Sequence, residues 1–130
     1  MGLATPDATP SPHVGPEVSV VIVTWNGRQY LDACLRAVEA QQGVSTEIIV
    51  VDNGSTDGSV EFVRTAFPQV RVIGLSENCG FAGGNNEGAR EARGEYVAFL
   101  NNDTVAEATW LRALRAGIDL TAGFALVTSR

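Results

Sequence analysis

The sequence predicts an α/β fold, a doubly wound and mostly parallel sheet, and three observations carry that prediction. The run VSVVIVT at 18–24 is almost continuously β-branched rather than alternating, the pattern of a strand covered on both faces. Further strand-like runs then alternate with segments of helical spacing, the order that β-α units produce. Polar residues follow each strand-like run, where open α/β sheets gather their ligands.

At 130 residues the chain supports one domain around one core. Its 45% hydrophobic and 18% charged residues are ordinary for a soluble globular protein, and no apolar run is long enough for a membrane-spanning helix. Nine arginines and no lysine face fifteen acids, and the net charge of -6 repels phosphate backbones, which argues against nucleic acid as a partner. Cys34 and Cys79 have neither the spacing of a zinc site nor that of a disulfide framework, and read as two reduced thiols of a cytoplasmic protein. His13, the single histidine, stands in the N-terminal tail, which leaves no His-based catalysis in this chain.

Residues 1–17 hold four of the five prolines and lack the basic start and apolar centre of a signal peptide, so they read as a flexible leader. The domain then runs over 18–130. After the first strand, Asn26 with Gln29 three residues on predicts a helix start, and Tyr30, Leu31, Cys34, Leu35 and Val38 repeat at helical spacing up to Gly43. EIIVV at 47–51 is the second strand. The loop DNGSTDGS leads into a helix with Val60, Val63 and Phe67 on one face, stopped by Pro68. VRVIGL at 70–75 is the third strand, followed by the loop ENCGFAGG and a short helix ending near Gly94. YVAFL is a fourth buried strand, a helix follows around Trp110, Leu111 and Leu114, and FALVTS is a fifth strand at which the chain stops. The sheet is thus expected to be truncated after about five strands.

The strand ends supply Thr24, Trp25 and Asn26, then Asp52, Asn53 and Gly54, then 76–84, then Asn101, Asn102 and Asp103. Asp52 can accept the N3 hydrogen of uracil or thymine, which cytosine lacks. Asp57 and Ser55 read equally as helix caps, whereas Asp52 stands too early to cap. Asp103 offers hard oxygen ligation to Mg or Mn, but judged alone it reads first as an N-cap, directly or with Thr104, for the helix at Trp110. ENCGFAGGNNEG contains neither phosphate-loop fingerprint, and its glycines fit a close backbone approach as well as plain turns. Asn85 and Asn86 are poor helix residues, and the Trp25 and Phe81 rings read as packing groups.

Taken in order and spacing, VVIVTWN, EIIVVDNGSTDGS, NCGFAGGNNEGA and GEYVAFLNND closely resemble the nucleotide-binding half of family 2 glycosyltransferases of the GT-A fold, over about residues 18 to 116. The resemblance implies a UDP- or dTDP-sugar donor. Thr24, Trp25, Asn26 and Asp52 would hold base and ribose, and Asn86 matches the family asparagine of the third loop, while Asn85 departs from the basic residue common there. LNND resembles the DXD signature, with Asn101 in the first acidic position, able to bond ribose, Asn102 between as a further nucleotide-sugar contact, and Asp103 in the metal-holding position. The LNxD form and the FAGGN segment resemble the rhamnosyltransferase-like subset, which favours a deoxyhexose donor.

The implied reaction is a single displacement with inversion onto a glycan or lipid-linked acceptor, in polysaccharide or cell-wall synthesis, with Mg or Mn facing the departing diphosphate. The general base is expected beyond Arg130, so no catalytic residue is assigned here, and the alternative is a non-catalytic nucleotide-sugar-binding fragment. The expected location is the cytoplasm, with peripheral contact at the inner membrane face through the part beyond Arg130. A phosphorylated receiver domain is a third reading, with Asp52 as the acceptor, but it requires an acidic pair where Thr24, Trp25 and Asn26 stand.

Overall fold

The computed structural model describes residues 14–120. Its elements are β1 (Val18–Thr24), α1 (Arg28–Glu39), β2 (Thr46–Asp52), α2 (Ser59–Ala66), β3 (Arg71–Gly74), α3 (Gly80–Glu91), β4 (Tyr96–Asn101) and α4 (Trp110–Leu120). The strands form one sheet in the order β3-β2-β1-β4, every pair parallel. The expected fifth strand, FALVTS, lies outside the described residues.

The continuous apolar runs are explained by helices on both faces. Val18, Val20, Ile22, Ile48, Val50 and Leu100 point to one face, where Leu31, Cys34, Leu35 and Val38 of α1, Val63 of α2 and Leu111 of α4 close the core with Phe67. Val21, Val23, Ile49 and Val51 point to the other, under α3. There α3 lies very close: a Cβ on Gly88 would come within 2.3 Å of Val21 Cγ1, and one on Gly84 within 2.7 Å of Val23 Cγ1. Close helix-to-sheet packing, rather than turn-making, is what these two glycines supply.

Several sequence expectations are corrected. β4 is an edge strand among the described residues and alternates, with Leu100 buried and Val97 and Phe99 exposed, because the α3 side of the sheet is covered over β1 and β2. Asn26 does not cap α1. The cap position is Gly27, and Asn26 sits at φ 49, a left-handed conformation that asparagine tolerates and that turns its side chain towards the β2 loop. Tyr30 consequently falls on the outer side of the first turn, and the helix ends at Glu39, before Gly43. Glu17, which composition groups with the N-terminal segment, is tied to the sheet: its N–H donates to Ser45 O at 3.1 Å and its carbonyl accepts Tyr96 N–H at 2.9 Å.

Candidate functional site

The parallel order brings the ends of β1, β2 and β4 together at the carboxyl edge, with Thr24 in register with Asp52 and Val23 in register with Asn101. Each exit loop is fixed by side chains rather than by regular structure. Asn26 N–H donates to Ser55 Oγ at 2.8 Å, and Asn26 Oδ1 accepts the Thr56 N–H at 2.8 Å, tying the β1 and β2 loops together. Ser55 therefore does not cap α2, whereas Asp57 does serve helix starts. Its Oδ1 accepts from Ser59 N–H at 3.1 Å and its Oδ2 from Arg28 N–H at 3.0 Å, so one carboxylate takes the first N–H of both α2 and α1. Burial works against the charged Asp57, but the bonds from the Ser59 hydroxyl and from the Arg28 and Ser59 N–H groups outweigh it and hold the carboxyl below its ordinary value.

Asp52 is 2% exposed, at the end of a central strand. Its Oδ2 accepts the Ser55 N–H at 2.8 Å. Its Oδ1 is buried and accepts nothing from the protein, a costly arrangement for a carboxylate oxygen unless a ligand completes it. Beside it Asn53, to which sequence reasoning assigned no role, uses both ends of its amide. Oδ1 accepts Cys79 N–H at 3.1 Å and Nδ2 donates to Gly80 O at 3.0 Å, which clamps the start of α3 to β2. No local signal could have revealed this, because the partners are fixed only by the crossover. From α3, Asn86 is exposed and Asn85 half-buried.

At the end of β4 the LNND residues part company. Asn101 and Asp103 are exposed, while Asn102 turns inward and donates from Nδ2 to Thr24 Oγ1 at 2.9 Å. Thr24 is itself buried, so these two predicted ligand contacts engage each other. Asp103 and Thr104 cap no helix: α4 begins only at Trp110, and Thr104 N–H closes a turn on Asn101 O at 3.1 Å. Beneath that turn lies Cys34, whose thiol is pushed up to about 11 by burial and then by the Asp103 carboxylate, against a smaller opposing bond from the Thr104 backbone. It therefore stays a neutral packing group. The Trp25 and Phe81 rings, expected to pack, are 56% and 57% exposed. The α4 start is held by Gln41, which donates to Glu107 O at 2.6 Å and accepts from Leu111 N–H at 3.0 Å.

Among the described residues no three His, Cys, Asp or Glu side chains group together as a metal cage. An exposed single carboxylate such as Asp103 fits Mg or Mn in one specific way, with phosphate oxygens of a ligand and waters supplying the remaining positions.

A doubly wound parallel sheet with a bare buried carboxylate oxygen at the end of β2 and an exposed acid after β4, on the two strands that flank β1, defines an α/β domain of the open-sheet class, in which ligands gather at the carboxyl edge. More particularly, the chain belongs to glycosyl transferase family 2, whose family model matches residues 19–128. It is 33% identical over 100 residues to the succinoglycan biosynthesis protein ExoO of Rhizobium meliloti, covering 76% of this chain and 29% of that protein. Its fold is that of solved GT-A transferases. The S. aureus TarS 1-349 complex with UDP-GlcNAc superposes with a TM-score of 0.72 at 25% identity, over 87% of this chain and 37% of that one. The mannosyltransferase PcManGT of Pyrobaculum calidifontis, in complex with GDP-Man and Mn2+, gives 0.65 at 28% identity, over 81% of this chain and 33% of that one. The chain thus spans about a third of the length of these relatives. No helix among the described residues is long and apolar enough to cross a membrane.

Proposed function

We propose that this chain forms the donor site of a sugar transferase of polysaccharide or cell-wall synthesis, holding a UDP- or dTDP-sugar with Mg or Mn. The observation that carries the reading is Asp52 Oδ1, a buried acceptor without a donor at the carboxyl end of a central strand. The N3–H of uracil or thymine supplies the missing donor, whereas cytosine presents an acceptor there and is refused. UDP-GlcNAc in the TarS complex and Mn2+ in the mannosyltransferase complex support the donor and metal classes.

In this reading Trp25, Asn26 and Asn101 flank base and ribose, Asn86 faces the donor from α3, and Asp103 holds the ion. A divalent ion bound there neutralises charge on the leaving diphosphate. The chain's own residues bind and orient the donor, and transfer proceeds with inversion onto a glycan or lipid-linked hydroxyl, with a general base from elsewhere in the complete enzyme. A deoxyhexose donor is the finer expectation, supported by LNND and FAGGN. Peripheral membrane contact belongs to the same reading.

Thermal shift tests it. UDP and dTDP with Mn2+ raise the melting temperature, CDP does so clearly less, and the Mn2+ increment vanishes in Asp103→Ala. Because one carboxylate makes a poor cage, Mn2+ alone gives no shift without the diphosphate. Equal shifts from UDP and CDP would remove the base-reading role of Asp52, and a wild-type response indifferent to Mn2+ would remove the metal.

A further inference from the structure

One contact joins the turn after β1 to the turn after β4, and it gives Gly27 and Asn102 a task that family membership does not assign. Gly27 is buried at φ −111, a conformation open to any residue, so the backbone does not require glycine there. Space does. A Cβ on Gly27 would stand 2.3 Å from Asn102 Nδ2 and 2.8 Å from Thr24 Oγ1. Asn102 Nδ2 donates to that same Thr24 oxygen at 2.9 Å, and Thr24, 2% exposed, has no water to turn to. The backbone bond from Thr104 N–H to Asn101 O closes the turn on itself, and Cys34 Sγ lies 3.7 Å below the same carbonyl. What fixes the turn sideways onto β1 is the Asn102 side chain, seated in the space that Gly27 leaves.

The geometry points to Asn102 as a positioning residue, with Gly27 as its seat and Thr24 as its anchor, that fixes the 101–104 turn and so the direction in which Asp103 presents its carboxylate. The consequence for metal rests on the reading of Asp103 as the metal ligand; the tie itself does not. Alanine at 27 meets the far end of a flexible side chain and a hydroxyl rather than backbone, so the fold survives and Asn102 is displaced.

Amide hydrogen exchange at Thr104, measured without nucleotide or metal, reads the tie directly. Loss of the ordering bond speeds that exchange about tenfold in Gly27→Ala and in Asn102→Ala. The double variant is no faster than either single one, because both remove the same contact. Asn102→Asp, which can accept the Thr24 hydroxyl proton, exchanges as the wild type does. In parallel, Mn2+ affinity of the UDP-bound chain falls about tenfold in both alanine variants. Thr104 exchange within twofold of wild type in both alanine variants overturns the tie. A Mn2+ response that survives in Asp103→Ala overturns the metal reading and the consequence drawn for metal, whereas the Thr104 exchange still decides the tie.

Discussion

β2 carries an acid at each end, and the two are treated oppositely. Towards its amino end Glu47 is fully partnered: Oε2 accepts the Ser19 hydroxyl and the Arg93 N–H, both at 2.6 Å, and Oε1 accepts Arg71 at 3.0 Å. Ser19 Oγ accepts Gly94 N–H at 2.7 Å, and Arg71 also reaches Glu91 O and Oε1, so β1, β2, β3 and the end of α3 close on one carboxylate. At the carboxyl end Asp52 is more deeply buried yet keeps one oxygen bare. A network closed at one end of the strand and open at the other accords with the proposal that Asp52 keeps its second oxygen for a ligand. Stability is therefore expected to reside in the amino-end acid and binding in the carboxyl-end one.

The largest effect expected is that of Glu47→Ala, which leaves the Ser19 hydroxyl and the Arg71 guanidinium short of their shared acceptor. Removing one member of such a partly buried charged network costs about 2–4 kcal/mol, read by urea unfolding. Burial opposes the charge on Glu47, but the bonds from Ser19, Arg93 and Arg71 lower its pKa overall. Its contribution is thus present near neutrality and lost as pH falls through the lowered folded value. Nucleotide binding per folded molecule should be unchanged, and a variant that loses UDP binding while keeping its unfolding midpoint breaks the division between the two ends.

Gly88→Ala comes next and tests whether the division extends to the helix face. The new methyl would meet Val21 Cγ1 at 2.3 Å and Val51 Cγ2 at 3.1 Å, two β-branched side chains with little freedom, so overpacking costs about 1–3 kcal/mol. Because α3 carries Asn86 and is clamped at its start by Asn53, a shifted helix should also weaken donor binding, which calorimetry with UDP would detect. Loss of stability without loss of binding would show that α3 serves the fold alone.

Asp57 lies between the two extremes, on the carboxyl side but already satisfied. Asp57→Asn keeps an acceptor for one helix start and loses it for the other, costing about 1 kcal/mol. With the wild-type carboxyl held low, the difference between the two proteins is full above the ordinary Asp range and closes as pH drops through and below it. A difference independent of pH from 6 to 3 would mean that the carboxylate charge plays no part in capping.

The fold was legible because burial on two faces and helical spacing are local patterns. VSVVIVT matches β1 residue for residue, and Leu31, Cys34, Leu35 and Val38 are all buried as their spacing predicts. YVAFL reads as a buried strand although β4 is exposed on one face, because an apolar run looks the same at an edge as in the centre. Asn26 illustrates a different failure: its capping pattern with Gln29 is good locally, but the Ser55 and Thr56 partners that win it are 29 and 30 residues away. Likewise the contacts of Gly27, Asn53 and Asn102 arise only across the sheet, whereas the place of Asp52 and Asp103 after strands was legible because position after a strand is itself written in the sequence.

The smallest stability effect, and the sharpest separation of the two acids, is expected from Asp52→Asn. The amide oxygen can still accept from Ser55 N–H, and a neutral nitrogen replaces the bare oxygen, so the unfolding free energy should move by less than about 1 kcal/mol, in either direction. Binding should change in kind. An N–H now faces the ligand where an acceptor stood, which repels the N3–H of uracil and suits the N3 acceptor of cytosine, so the preference for UDP over CDP should disappear or invert. A variant that still prefers UDP means that Asp52 does not read the base. A loss well above about 2 kcal/mol would put Asp52 in the same class as Glu47, since so large a cost attends a broken structural bond rather than an acceptor held open for a ligand.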